Sequence, residues 1–162
     1  MNELTTLAKY IYTKLTTDPK WSQEPINNAD FYSEIISGGN KVDQTPAAMV
    51  VTVAQQNMNS NFGSRMKGRW LLQIKAVMAG EDFSLLSPIA NLIEETFHWP
   101  GITDINTGRP KCQELWTDPD DSTINIRIMS CINNRFIKYS SNQQGTDYIN
   151  LGGIYEMEYY QE

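Results

Sequence analysis

Apolar residues recur at three- and four-residue steps at the start of the chain, where Leu4, Leu7, Ala8, Ile11 and Leu15 form one stripe. A 3.6-residue turn stacks such positions on one face, so the spacing predicts an amphipathic helix over 3–16, flanked by Tyr10 and Tyr12. Thr17-Asp18-Pro19 ends it, because the residue before a proline is pushed out of the helical region. Residues 20–30 read as a polar connection carrying Trp21 and Pro25. Residues 31–36 read as a short strand closed by the turn signal Gly38-Gly39-Asn40.

The period then changes to two. Pro46 opens an apolar run to Val53, in which Val50 and Val51 supply β-branched content. Along 69–78, Trp70, Leu72, Ile74, Ala76 and Met78 share one face, while Gln73 and Lys75 point the other way. The polar stretch between the two runs, 55–68 with Gly63 and Gly68, is too long for a tight turn; connections of that length are usually functional or disordered. It is read as a projecting ribbon or a mobile tip. After Gly80 the helical period returns, with Phe83, Leu86, Ala90, Ile93 and Phe97 on one face. Asp82 or Ser87 is the N-cap, and Pro88 places the regular start near Ser87. His98-Trp99-Pro100-Gly101 closes that helix. Residues 100–122 are turn-rich, and strands are expected at 123–129, 135–139 and 154–160. In the last of these Tyr155, Met157 and Tyr159 face inward and Glu156 and Glu158 outward. The order α, short β, β, β, α, β, β, β predicts an α+β fold: a mostly antiparallel sheet, two helices packed on one face, and a long projecting β-hairpin.

Length changes little in this picture. One domain spanning 1–162 suits 162 residues. With 40% hydrophobic and 20% charged residues the chain has enough apolar content for a core. Its longest apolar runs fall far short of the roughly 20 residues a membrane span requires, so no membrane partner is expected. The amino-terminal residues lack the layout of a signal peptide, which makes cytoplasmic synthesis the expectation.

Charge adds more. The net charge is -6 and the pI about 4.8, which argues against nonspecific nucleic-acid binding. Arg65, Lys67, Arg69 and Lys75 lie in a stretch, 55–80, that contains no acid. Glu81, Asp82, Glu94, Glu95 and Asp104 lie in 81–108, which contains no base, and Glu156, Glu158 and Glu162 add acid at the end. Opposite charges on different elements suit docking between unlike faces; solvated faces of one monomer are the plainer alternative. Arg65, Lys67 and Arg69 alternate, so they form either a basic strip for an acidic partner or DNA phosphates, or a charge-protected sheet edge.

Candidate chemistry is sparse. His98 is the single histidine and sits at a helix end, where packing or a helix-terminal charge explains it better than catalysis. Cys112 and Cys131 match no metal or redox spacing and read as free thiols. Asp118, Asp120 and Asp121 miss the calcium-loop spacing and read as a solvated turn. Gly38-Gly39 and Gly152-Gly153 lack a following helix with a lysine, so they read as turns and not phosphate loops. The four tryptophans and eight tyrosines are mostly core. No catalytic residue, metal ligand or cofactor site is expected, and an enzyme is not.

In order and pattern, residues 4–98 resemble the tail terminator (tail completion) proteins of long-tailed bacteriophages. The resemblance rests on the Leu7-to-Pro19 helix ending at Asp-Pro, Thr45-Pro46 leading into a strand to Val53, the alternating strand from Trp70 to Met78, and the acid-started helix from Asp82 to Phe97. Longer inserts at 20–30 and 100–122, and Pro88, depart from the pattern. The resemblance implies a structural virion protein of the tail or neck, assembled in the host cytoplasm. Such a protein forms a ring, a hexamer by analogy, that caps the tail tube, ends its polymerisation and meets the head connector. Its partners would be further copies of itself, the tail-tube protein and the connector protein, with DNA passing through the channel without specific binding. A head-to-tail ring needs two unlike surfaces. Arg65, Lys67, Arg69 and Lys75 against Glu81, Asp82, Glu94, Glu95, Glu156 and Glu158 are the candidate pair, with the hairpin tip as the working part. A small acidic cytosolic binding or immunity protein, inhibiting a basic enzyme, is the alternative reading.

Overall fold

The computed structural model describes residues 3–26, 29–33, 46–59, 66–98, 101–103, 105–108, 110–111, 114–143 and 145–161. The first helix, α1 (Glu3–Thr16), buries Leu7, Ile11 and Leu15 as the stripe requires. Tyr10 is not a flank but part of that buried face; Tyr12 stays half exposed, its ring edge-on to Phe31 at 5.3 Å. A 3-10 turn (Pro19–Ser22) follows, capped by the Asp18 carboxylate, which accepts from the Lys20 amide at 2.9 Å.

Six strands make one sheet: β1 (Asp30–Ser33), β2 (Ala47–Asn59), β3 (Met66–Ala79), β6 (Glu114–Asp118), β7 (Asp121–Gln143) and β8 (Thr146–Gln161). A separate two-stranded piece pairs β4 (Ile102–Thr103) with β5 (Pro110–Lys111). The order across the sheet is β1-β2-β3-β8-β7-β6. Every neighbouring pair is antiparallel except β1 with β2, so the α+β expectation holds, with one parallel edge strand. The long hairpin is β2–β3. Its second strand is backed by β8 over its whole length, from Met66↔Gln161 to Ala79↔Tyr148, so it is a central strand of the sheet. The tip, 60–65, lies outside the described residues, as do 34–36 of the first strand expected from the sequence.

Helix α2 (Ser87–Phe97) starts at Ser87 with Pro88 in its first turn, where the missing N–H costs nothing. Asp82 caps a preceding 3-10 turn (Phe83–Leu85) and not the helix itself. The buried positions are Ile89, Leu92, Ile93 and Phe97, so the inward face is rotated from the one read in the sequence, with Ala90 only half buried. Both helices cover one face of the sheet, where Trp70, Leu72 and Ile74 of β3 meet Tyr155, Met157 and Tyr159 of β8. An edge-to-face run of rings ties the layers together: Trp116 to Tyr10 at 5.7 Å, Tyr10 to Phe97 at 6.5 Å, and Phe97 to Tyr155 at 6.5 Å.

Three expectations change. Residues 100–122 are not only turns, since β6 runs through them and buries Trp116. The strands expected at 123–129 and 135–139 are one strand, β7, with irregularities between Ile128 and Ser130 and between Asn133 and Arg135. An extra residue at each point shifts the inward phase by one, which breaks the alternation that marks a strand. Gly152-Gly153 is not a turn but the middle of β8. A Cβ on Gly152 would overlap the backbone of Ile74 and Lys75, and one on Gly153 would lie 2.6 Å from the Asn133 amide, so the pair permits close approach of neighbouring strands. The β7–β8 turn instead uses Gly145 at φ 82°.

Candidate interaction surface

The antiparallel register of β3 against β8 sets Arg69 opposite Glu158 and Leu71 opposite Glu156. All four point away from the helices, because Trp70 and Met157 between them point inward. Arg69 Nη2 donates to Glu158 Oε1 at 2.8 Å, and its Nε lies 2.9 Å from Glu156 Oε1 in an ion pair too poorly aligned to be a hydrogen bond. Asn134 Nδ2 donates to the other Glu156 oxygen at 2.8 Å. The hydrogen bond that Arg69 donates to Glu158, then the charge of Glu156, pushes the Arg69 pKa up. Residues expected on two separate surfaces are therefore one ion-paired cluster on the open face of the sheet.

The other charged residues are dispersed. Lys75 is buried beside Gly152; its Nζ donates to the Tyr139 hydroxyl at 2.6 Å and lies 5.1 Å from that ring's centre. Lys67 is in β3, in register with Tyr160, and Arg65 lies outside the described residues. Glu81 is exposed. Asp82 accepts from the Ser84 hydroxyl at 2.6 Å and amide at 3.0 Å, and these bonds lower its pKa. Glu95 is ion-paired to Lys20. Glu94 turns toward the sheet, where its Oε2 accepts from the Tyr155 hydroxyl at 2.6 Å and from Asn133 Nδ2 at 2.8 Å.

Nothing in this arrangement activates a nucleophile. His98 Nδ1 accepts from the Asn133 amide at 3.1 Å and lies 3.8 Å from Glu94 Oε1, a helix-end packing role. Burial pushes the Cys131 thiol well above its ordinary pKa, which keeps it protonated and unreactive. Cys112 lies outside the described residues. Asp118, expected in a solvated turn, has a fully buried side chain paired with Lys9 at 3.1 Å; Lys9 also reaches Asp120 at 2.9 Å. Among the described residues no cluster of three or more His, Cys, Asp or Glu side chains forms a metal site, and no helix is long and apolar enough to cross a membrane.

What the charge pattern did not reveal is the second half of β7. Phe136 is 74% exposed, and Ile132 and Tyr139 are also exposed. Arg135 and Lys138 lie among them, Lys138 Nζ resting 4.7 Å from the centre of the Phe83 ring. Beside them, an open cleft of about 350 Å³ separates α2 from the sheet, lined by Ala90, Asn91, Glu94, Phe136, Leu151 and Tyr155 among others. The sequence does mark 135–139 as a strand. It carries no signal that this strand's outer side is left uncovered.

No protein-family model matches the chain, and no curated protein matches it in sequence. Among solved structures, the fold is similar to a chain of the "Virion of native gene transfer agent (GTA) particle". That likeness has a TM-score of 0.53 at 10% identity, and covers 95% of this chain and 94% of that one. The two chains share an architecture from end to end.

Proposed function

We propose that this protein is a structural component of a phage-like virion, and that it caps the tail tube as a ring, ends the tube's polymerisation and joins the tail to the head connector. The observation that carries the virion reading is the extent of the likeness: nearly all of each chain takes part. A non-enzymatic role agrees with a protonated Cys131 and a histidine engaged with a backbone amide. The finer assignment to the tail end rests on the pattern shared with tail terminators over residues 4–98.

A ring of identical copies, six by analogy, would meet tube protein on one side and connector protein on the other, with DNA passing through its bore. A net charge of -6 suits passage without retention. The charged candidates remaining for contacts with tube, connector or neighbouring copies are Arg65 and Lys67 of the hairpin sequence and the exposed Glu81, Glu95 being paired with Lys20. Cryo-microscopy of particles labelled on this protein is the direct test. A ring at the head-proximal end of the tail is the expected result, and density elsewhere in the particle or none at all would refute the assignment. Deletion of residues 57–63 should leave the fold intact and abolish assembly; tails assembled normally by the deleted protein would remove the tip from the interface.

A further inference from the structure

The sheet has two open edges, and they are unlike. On one side β1 pairs only with the first residues of β2, ending at Ser33↔Val50. Beyond it, residues 51–59 have no outer strand among the described residues. On the other side β6 pairs with β7 as far as Ile128. Residues that follow α2 lie along the next stretch: the Asn133 amide donates to His98, and a Cβ added at Gly101 would sit 3.5 Å from the Ser130 Cβ and 3.7 Å from the Met129 carbonyl oxygen. From residue 134 to 143 the outer edge of β7 is bare among the described residues. Nine open positions on one edge thus face ten on the other.

One edge carries none of the usual protection and the other only two basic residues. Natural sheets blunt a free edge with charge, proline or brevity. Residues 51–59 read Val-Thr-Val-Ala-Gln-Gln-Asn-Met-Asn, without a charge or a proline. The β7 stretch carries Arg135 and Lys138 but also the most exposed ring of the described chain, Phe136. Such edges persist in a soluble protein when something pairs with them.

We infer that the occupant is a second copy of this chain: the open edge of β2 (51–59) adds to the open edge of β7 (134–143) of the next subunit, with Phe136 covered at the seam. Strand sense supports this occupant. β2, β3, β8 and β7 alternate in direction, so the unit between the two edges contains an even number of strands. A neighbour placed head to tail in the same orientation brings its β2 antiparallel to β7, and the alternation continues across the seam. The two open stretches also lie at different heights. Following the register across the sheet, Gln55 is level with Trp70, Met157 and Cys131, whereas residues 136–137 are level with Gly152-Gly153 and with Met49-Val50. Pairing their centres staggers each subunit against the next, as a closed barrel requires of its strands. Because the contact joins unlike edges, it closes into a ring or continues as a helix, and in the closed form both of these stretches are paired.

This inference rests on the ring reading above, and mixed cysteine cross-linking separates the two. Full-length Gln55→Cys protein is mixed with full-length Lys138→Cys protein under mild oxidation. Oligomeric state is read in parallel by native mass spectrometry, for wild type and for Phe136→Glu. The expected result is a mixed disulfide dimer, absent when either variant is oxidised alone, and an oligomer population that falls at least tenfold in Phe136→Glu with the monomer's melting curve unchanged. Because the exact stagger decides which side chains meet, Gln56→Cys and Tyr139→Cys are mixed in the same way. An oligomer that forms without cross-links in any mixture, and survives Phe136→Glu, overturns the edge seam and leaves the ring intact. Wild type that stays monomeric at all concentrations, and is not a ring on particles, overturns both.

Discussion

The two halves of β7 are the same strand under opposite conditions. In its first half Ile126, Ile128, Ser130 and Cys131 are buried, with β6 alongside as far as Ile128. In its second half every described residue from Asn134 on is exposed or half-buried, and Phe136 stands in solvent. Backbone pairing to β8 continues through both, so secondary structure does not distinguish them. The difference is what each half is packed against, and it separates residues that hold the monomer from residues left available to a partner.

Cavity formation is the largest expected effect. Ile128→Ala should cost about 2–5 kcal/mol, because the surrounding layer of helices and rings relaxes only partly around a deleted side chain. Phe136→Ser, at a side chain that is already 74% exposed, should move monomer stability by no more than about 0.5 kcal/mol. Urea titrations of the two variants beside wild type test the contrast. Equal destabilisation would show that the second half of β7 is packed within the monomer and is not a free edge.

A smaller effect is expected where the covered face carries a polar group. Tyr155→Phe removes the hydroxyl that donates to Glu94 and should cost about 1.5–3 kcal/mol, the range for a hydrogen bond to a charged acceptor. Retained stability in the same titration would mean that Asn133 and solvent replace the lost donor.

The helix side also sets the alkaline limit. Burial first, and the nearby carboxylates of Glu114 and Glu94 second, push the Tyr10 and Tyr155 pKa values far above the usual phenol range. Folded protein keeps both protons where the unfolded chain releases them, near pH 10. Their contribution to stability is therefore intact below about pH 10 and is lost as the pH climbs above it. Phenolate absorbance followed alongside circular dichroism should show these two of the eight tyrosines ionising only as the fold is lost. All eight ionising ahead of unfolding would contradict their burial.

The elements legible in the sequence are those whose period is unbroken. Leu7, Ile11 and Leu15 define α1, Trp70 to Met78 define β3, and the alternation of Tyr155, Met157 and Tyr159 with Glu156 and Glu158 gives the sidedness of β8 correctly. β7 was illegible as one strand because its irregularities move the inward phase from Ile128 to Cys131. β6 is hidden because it is five residues long and its last two, Thr117-Asp118, run into Pro119 as a strong turn signal. The charges were legible as a list but not as a geometry. Arg69 and Glu158 are 89 positions apart, and only the placement of β8 beside β3 makes them neighbours; no local pattern encodes strand order. The bare edge of β7 depends in the same way on where β6 stops.

The Arg69 cluster gives the smallest effect and the finest discrimination. Its side chains are partly exposed, Arg69 at 43% and the two glutamates at 28% and 29%, and ion pairs in contact with water gain little over their separate hydration. Arg69→Gln should therefore leave the urea midpoint of the monomer nearly unchanged at physiological salt. A slight loss should emerge at low ionic strength, where Glu156 and Glu158 repel each other without screening. The oligomer is the informative readout. If the open face is simply solvated, the variant assembles as wild type does, and the contacts between copies are confined to the edges. If the face meets tube or connector protein, the variant keeps the monomer and the ring but fails to join them, with a defect that deepens as salt is lowered. The sheet's edges would then serve the ring and its open face the neighbouring virion protein.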